Sequence, residues 1–211
     1  MPGPSPHLDA YRAVLKRIAN ADRSCSACSA DADTSLEWIM KDIRYRGGML
    51  SFRIPDSWEE EEYRDGGAAY FEPGEKSGTL NLSMTTVQRN EGAVSESALR
   101  EIVEVDTKAG EAPAEALENG NYLRRYERRA QEAGAELHLT FWSVSNAVLP
   151  RTVRLAVFGF AVPAQDAGNP EHVRIVHLLD AEIRAAIFTH LTPEEIQAMI
   201  KQARGPWWKF W

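Results

Sequence analysis

The sequence predicts an α+β protein in which helices pack on an antiparallel sheet. Apolar and polar residues alternate with a period of two between Met49 and Val87, which is typical of strands. The run VRLAVFGFAVP beyond Pro150 is apolar at nearly every position, so it predicts a central strand covered on both faces. Segments that begin with an N-cap residue and have apolar residues at helical spacing lie before, between and after these strands. Residues 49–190 are therefore expected to form the main domain, between residues 1–48 and 191–211.

A first amphipathic helix is predicted from Ser5 to Asn20, with Ser5 as N-cap and Pro6 at the first helical position. Its apolar residues recur at spacings of three and four, as Leu8, Tyr11, Leu15 and Ile18. Residues 21–33 are rich in Ser, Ala and Asp and predict a mobile linker. Deletion of residues 1–33 is accordingly expected to leave the core folded.

A second helix is predicted to begin at Thr34, which forms a capping box with Glu37, and to end at Gly47-Gly48. Its apolar stripe would consist of Leu36, Ile39, Met40 and Ile43. An antiparallel meander follows, with strands in LSFRIP, across 59–64, across 68–72 and across 79–87.

The remaining elements alternate between helix and strand. Ser95 caps a short predicted helix, and Ala112 to Leu117 adds another helical turn. Residues 121–130 also fit helical spacing but are predicted as a strand, because Ala133-Gly134 then makes a hairpin with the strand from Glu136 to Val148. A long helix begins at Asn169-Pro170, and a last one runs from Thr192 to a stop at Gly205-Pro206.

Composition and charge exclude several classes of function. The 211 residues include 31 acidic and 24 basic ones, for a net charge of −7, which disfavours nucleic acid and anionic membranes as partners. No apolar run reaches the roughly 18 residues of a membrane span. The start of the chain lacks the apolar segment of a signal peptide, so a cytoplasmic location is expected.

The stretch LSFRIPDSWEEEEYRDGGAAYFEPGEKSGTLNLSMTTV resembles the opening of PsbP-like and DcrB-like domains, in which F-x-I-P-x-x-W precedes strands ending near F-x-P and in G-T-L-x-L-S. The stretch from Phe141 to Glu171 and the helix through LLDAEIRAAIF are similar to that fold's closing hairpin and covering helix. The resemblance spans Met49 to His190. It implies an α/β/α sandwich used for binding, as in photosystem subunits, a Ran-binding import factor, bacterial lipoproteins and secretion-effector chaperones, with no shared catalytic centre.

Metal and cofactor chemistry finds little support in the sequence, and neither is expected. Cys25 and Cys28 have the spacing of half a zinc site or of a redox dithiol, but they stand in a linker without further Cys ligands. His172 and His177 are five apart and so face different sides of a helix. They are interpreted as structural or surface residues, together with His7, His138 and His190. The run Glu59 to Glu62 is interpreted as a solvated edge strand, with calcium or a basic partner as the alternative.

Two groups of residues are predicted to bind a partner. The first is a basic cluster in an acidic chain, Arg124, Arg125, Arg128 and Arg129, with Arg151 and Arg154 on neighbouring strands. Pairing with the interleaved glutamates Glu127 and Glu132 is the alternative for it. The second is the aromatic tail, Trp207, Trp208, Phe210 and Trp211. The tail could pack on its own domain, enter a groove of another subunit or partner, or lie at a lipid interface.

The function predicted from these features is a non-enzymatic binding or adaptor protein, such as a bacterial secretion-associated chaperone or immunity-type factor, with a protein partner and homo-oligomerisation through the aromatic tail. The alternative is an enzyme whose site assembles distant polar residues near the hairpin of 121–154. Its constituents would be Trp142, His138 and the arginines of that hairpin.

Overall fold

The computed structural model describes residues 38–64, 66–74, 78–105, 111–132, 134–190, 194–195 and 198. In these ranges the elements are β1 (Met40–Tyr45), β2 (Leu50–Pro55), β3 (Glu59–Glu62), β4 (Ala68–Phe71), β5 (Thr79–Gln88), α1 (Glu96–Glu104), β6 (Glu115–Ala116), β7 (Tyr122–Glu132), β8 (Ala135–Leu149), β9 (Thr152–Pro163), α2 (Pro170–Arg184) and β10 (Ile187–Phe188). Antiparallel strands and helices packed on them make this an α+β fold, as predicted.

The strands form two sheets. The larger has seven strands in the order β3-β4-β5-β9-β8-β7-β6, and the smaller has three in the order β1-β2-β10. All neighbouring strands are antiparallel. The apolar run after Pro150 is β9, the middle strand of seven, which confirms the prediction of a central strand.

The two faces of the seven-stranded sheet are covered by different elements. One, here called the α2 face, packs against α2 and the small sheet, and Phe158 of β9 meets Phe52 of β2 edge to face at 5.2 Å. The other, here called the α1 face, packs at one end against α1, where Leu99 and Val103 meet Tyr122. Burial of these apolar side chains is the main favourable contribution to folding.

Helix caps and the late hairpin agree with the sequence prediction. Ser95 accepts a hydrogen bond from the Ala98 amide at 3.2 Å and so caps α1. Asn169 accepts one from the Glu171 amide at 2.9 Å and caps α2. Residues 122–132 are a strand, and Gly134, with φ of 87°, lies in the turn that joins β7 to β8.

The helix predicted from Thr34 to Gly48 is wrong over its second half, because residues 40–45 form β1. The spacing of Met40 and Ile43 fits a helix, but Ile43 and Tyr45 are buried alternately in a strand that pairs with all of β2. The glycines that were expected to end a helix instead turn a hairpin, where Gly47 and Gly48 take φ of 69° and 92°.

Two further expectations about local structure are wrong. Ala112 to Leu117 was predicted as helix, but Glu115–Ala116 is the strand β6, paired with β7. LSFRIP is a strand as predicted, but it belongs to the small sheet and not to the meander. Both segments are short and have room for few periods of any pattern, so pairing with a neighbouring strand decides the conformation of the first and the sheet to which the second belongs.

Several predictions lie outside the described residues. These are the helix at 5–20, the linker at 21–33, the last helix up to Gly205 apart from residues 194–195 and 198, Cys25 with Cys28, His7 and the aromatic tail. Among the helices that the structure does describe, none combines the length and the apolar character required to cross a membrane.

Candidate functional site

The arginines of β7 are divided between the two faces of the sheet, because side chains of a strand alternate. Arg124 faces the same way as its register partner Ser143, and Arg128 the same way as Leu139, on the α1 face. Arg125 lies opposite Trp142 on the α2 face. Four arginines close together in sequence therefore form two pairs rather than one patch.

The pair on the α1 face is tied to a glutamate. Arg124 is 1% exposed and donates to the carbonyl of Val103 at 3.2 Å, at the end of α1. The carboxylate of Glu111 accepts hydrogen bonds from both Arg124 and Arg128. Both guanidinium groups also lie against the ring of Tyr126, at 4.4 and 4.6 Å from its centroid. These contacts fix the strand to α1 and to the loop after it.

The pair on the α2 face is much more open. The side chain of Arg129 is 76% exposed and lies 3.4 Å from a carboxylate oxygen of Glu136. Arg125 is 34% exposed and lies 3.3 Å from Glu127. His138, whose ring lies 3.6 Å from the same Glu127, completes this surface. Exposed ion pairs of this kind contribute little to stability and exchange readily with other partners.

A chain of polar contacts joins this surface to α2. The buried Trp142 donates from Nε1 to Asp180 Oδ1 at 2.8 Å, and Arg184 donates from Nε to Asp180 Oδ2 at 2.7 Å. Arg184 also pairs with Glu115 of β6 at 2.7 Å. Trp142 is thus held by a carboxylate and is shielded from solvent, with Arg125 at 5.9 Å from its ring.

Charge and burial oppose each other at Asp180. Burial favours its neutral form and would raise its pKa, but the hydrogen bonds from Arg184 and Trp142 outweigh burial and hold the pKa of Asp180 below its ordinary value. The hydrogen bond to Glu115 raises the pKa of Arg184. Both groups therefore stay charged at neutral pH.

The acidic run lies at the opposite edge of the sheet. Strand β3, Glu59–Glu62, pairs with β4, and its residues are exposed or half-buried, in agreement with a solvated edge strand. Glu60 accepts a hydrogen bond from the buried Tyr70 hydroxyl at 3.0 Å, and burial followed by this negative neighbour raises the pKa of Tyr70.

The other predicted residues are dispersed. Arg151 donates to the carbonyl of Asn90 at 3.1 Å, whereas Arg154 is buried, and this burial lowers its pKa. His172 is buried with Nδ1 at 2.8 Å from the carbonyl of Asp166, and His190 lies 2.9 Å from that of Val148. Among the residues that the structure describes, no group of three His, Cys, Asp or Glu side chains could hold a metal ion.

Sequence reasoning missed two glutamates that organise this region. Glu111, which binds both arginines of the α1 face, stands in a loop with no periodic pattern to mark it. Glu115 was placed in a predicted helical turn and in fact reaches Arg184 from β6. The division of the arginines could have been predicted, since the segment was already interpreted as a strand.

Comparison with known protein families finds no match, and neither does comparison with curated proteins.

Among solved structures, a protein of Bacteroides thetaiotaomicron is 19% identical over 64% of this chain and 46% of its own, with a TM-score of 0.42. The match thus spans about half the length of that protein. Mycobacterium tuberculosis LpqN, described as involved in cell envelope biogenesis, is 9% identical over 74% of this chain and 87% of its own, with a TM-score of 0.46. The Saccharomyces cerevisiae Ran-binding protein Mog1p is 14% identical over 72% and 96%, with a TM-score of 0.45. Membership of the PsbP-like and DcrB-like group stays a prediction.

Proposed function

We propose that this protein is a non-enzymatic binding protein that takes an extended, acidic segment of a protein partner along the outer margin of β7. The observation that carries the proposal is the extent of β7. Strand β6 pairs with Tyr122 and Leu123, and β7 continues from Arg124 to Glu132 beyond its reach. A strand at the margin of a sheet can receive an extended peptide through main-chain hydrogen bonds.

The charge of this margin selects the partner. Arg125 and Arg129 share one face of the strand, and both are accessible. Their present partners, Glu127 and Glu136, are about half exposed, at 53% and 51%. A carboxylate of an incoming strand can replace them at small cost, and guanidinium groups bind carboxylates with defined geometry.

The contacts of Trp142, which the alternative hypothesis assigns to an enzyme site, favour a structural role over a catalytic one. The indole of Trp142 is buried and donates its N–H to Asp180, which in turn binds Arg184. Substrate could reach these groups only if they released one another. The narrower role as a secretion-associated chaperone or immunity-type factor belongs to the same proposal, since both kinds of protein act by binding another chain.

A labelled peptide in which Glu alternates with Val tests the margin of β7 directly. We expect the wild type to bind it in a fluorescence anisotropy titration. The double variant Arg125→Glu, Arg129→Glu should bind it at least about tenfold more weakly, and this difference in affinity should become smaller at high salt. Arg174→Glu, at an exposed position of α2, is the matched control. Equal binding by the double variant and the wild type, or equal binding of a peptide with Lys in place of Glu, contradicts the proposal.

The partner itself can be identified by affinity capture from the native host with mass spectrometry. We expect at least one protein that the wild type retains and the double variant loses, while Arg174→Glu retains it. A set of captured proteins that is the same for all three forms contradicts a role for these arginines.

A further inference from the structure

A buried apolar patch lies on the α1 face, away from α1 itself. Its members are the strand residues Leu137, Leu139 and Ala161, with Ala130 and Phe141 packed against them. Leu137 is 0% exposed, Ala161 1% and Leu139 5%. Neighbouring strand residues shield one another sideways, but burial to this degree also needs a cover above the sheet.

Helix α1 lies too far along the sheet to be that cover. It contacts β8 at Ser145, whose hydroxyl donates to the carbonyl of Leu99 at 2.8 Å. Ser145 and Leu137 point to the same face and are separated by about 27 Å along the strand. A helix of 9 residues is about 14 Å long, so α1 cannot span this distance. The loop after α1 reaches this face at Glu111, which binds Arg124 and Arg128, two residues short of Ala130, the register partner of Leu137.

We propose that residues 5–20 of this same chain, as an amphipathic helix, cover the patch. The start of the described chain favours this segment. The carbonyl of Ile39 accepts a hydrogen bond from the Asp56 amide at 2.8 Å, and the nearby Trp58 stacks on Phe160 at 6.2 Å. Phe160 is the register partner of Thr140, which stands between Leu139 and Phe141. The chain therefore enters the described fold level with the patch.

Lengths agree with this assignment. The 17 residues from 21 to 37 can span up to about 56 Å when extended, enough to pass around the end of the sheet. A helix over residues 5–20 is about 24 Å long, against about 14 Å from Leu137 to Phe141. The other end of the described chain is less favourable, because His190 is hydrogen-bonded at Val148, about 30 Å along β8 from Leu139.

Charge also favours residues 5–20. The side opposite their apolar stripe carries Lys16 and Arg17 with a single acidic residue, Asp9, and Arg12 lies at the edge of the stripe, so these residues have a net positive charge. The register of the strand pairs from β3 to β8 places Glu61 of β3 on the same face as Phe141 of β8. The two residues are about 19 Å apart across the sheet. A helix that lies across the strands would bring its basic side toward this acidic edge. The proposal opposes the expectation that residues 1–33 are dispensable for a folded core.

Disulfide trapping in the full chain, with Cys25 and Cys28 replaced by Ser, identifies the occupant. We expect Leu15→Cys with Phe141→Cys to form an intramolecular disulfide under mild oxidation, seen as a mobility shift that reductant reverses. Ala13→Cys with Phe141→Cys is the matched control, because Ala13 points away from the predicted apolar stripe. Equal disulfide formation by the Ala13 variant would overturn the proposal. So would a disulfide between Ile200→Cys and Phe141→Cys, which would identify the C-terminal segment as the occupant, or disulfide-linked dimers, which would identify a second copy of the chain.

A second measurement does not depend on cysteine placement. In the otherwise native full chain, Leu15→Asp should lower Tm by about 4–10 °C and increase binding of a dye specific for exposed apolar surface, whereas Ala13→Asp should shift Tm by less than about 2 °C. Equal effects of the two substitutions overturn the proposal.

Discussion

The indole N–H of Trp142 donates a 2.8 Å hydrogen bond to the carboxylate of Asp180, and this contact joins the interior of β8 to the half-buried flank of α2. The same carboxylate accepts a hydrogen bond from Arg184 one helical turn later. One acidic side chain thus connects a buried strand residue, its own helix and, through Arg184, the strand β6.

The substitution Trp142→Phe should lower the free energy of unfolding by about 1–3 kcal/mol, because a half-buried carboxylate loses a hydrogen-bond donor while most apolar area is kept. Chemical denaturation with two-state analysis measures the change. Glu118→Gln, at an exposed position, is the control and should change stability by less than about 0.5 kcal/mol. Equal stabilities of Trp142→Phe and the wild type would show that the hydrogen bond contributes nothing.

Acid should weaken the fold partly through Asp180. Its pKa is lower in the folded state than in the unfolded chain, so its stabilising contribution is complete above pH of about 4 and is lost as the pH falls through the folded-state pKa. Denaturant midpoints between pH 7 and 2.5 should fall less steeply for Asp180→Asn than for the wild type. Parallel profiles would exclude Asp180 as a source of acid sensitivity.

The arginines of β7 should differ in their structural importance. Arg124→Ala removes a buried charge that binds Glu111 and the end of α1, and should cost about 3–5 kcal/mol of unfolding free energy. Arg129→Ala, at a side chain that is 76% exposed, should cost less than about 0.5 kcal/mol. Similar losses in the two variants would contradict the division between the two faces.

Gly78 should resist enlargement. A Cβ at this position would lie 2.1 Å from Phe160 Cζ, whereas one at Gly168 would meet nothing within 4 Å. Gly78→Ala should therefore cost about 1–3 kcal/mol, and Gly168→Ala should be nearly neutral. The double variant Gly78→Ala, Phe160→Leu should lose less unfolding free energy than the sum of the losses in the two single variants. Strictly additive losses would mean that the ring of Phe160 does not obstruct the added Cβ.

Long patterns in this sequence predicted structure better than short ones. β8 and β9 have 15 and 12 residues, so their alternation or continuous apolar character stands out, and α2 is marked by both a cap and a stripe. β1 has 6 residues, in which Met40 and Ile43 fit a helix as well as Ile43 and Tyr45 fit a strand. Its pairing with β2, a contact between separate segments, decides between them.

The sequence named the arginines of β7 as partner-binding residues and Trp142 as a constituent of the alternative enzyme, but it did not show how they are arranged. Adjacency in sequence places Arg124 and Arg125 on opposite faces of a strand. The acidic partner of Arg124 comes from a loop and that of Trp142 from α2, and no local pattern could show that Glu111 meets Arg124 or that Asp180 meets Trp142.

The position of β3 and β7 near opposite edges of one sheet gives that sheet an electric dipole moment across its strands. β3 carries four glutamates, whereas β7 carries four arginines and two glutamates. The strands between them hold these charges about 24 Å apart. The field of an approaching anion therefore exerts a torque that turns the β7 edge of the protein toward the anion, although the net charge of −7 repels it overall. This alignment weakens as added salt shortens the screening length, which is about 8 Å at physiological ionic strength.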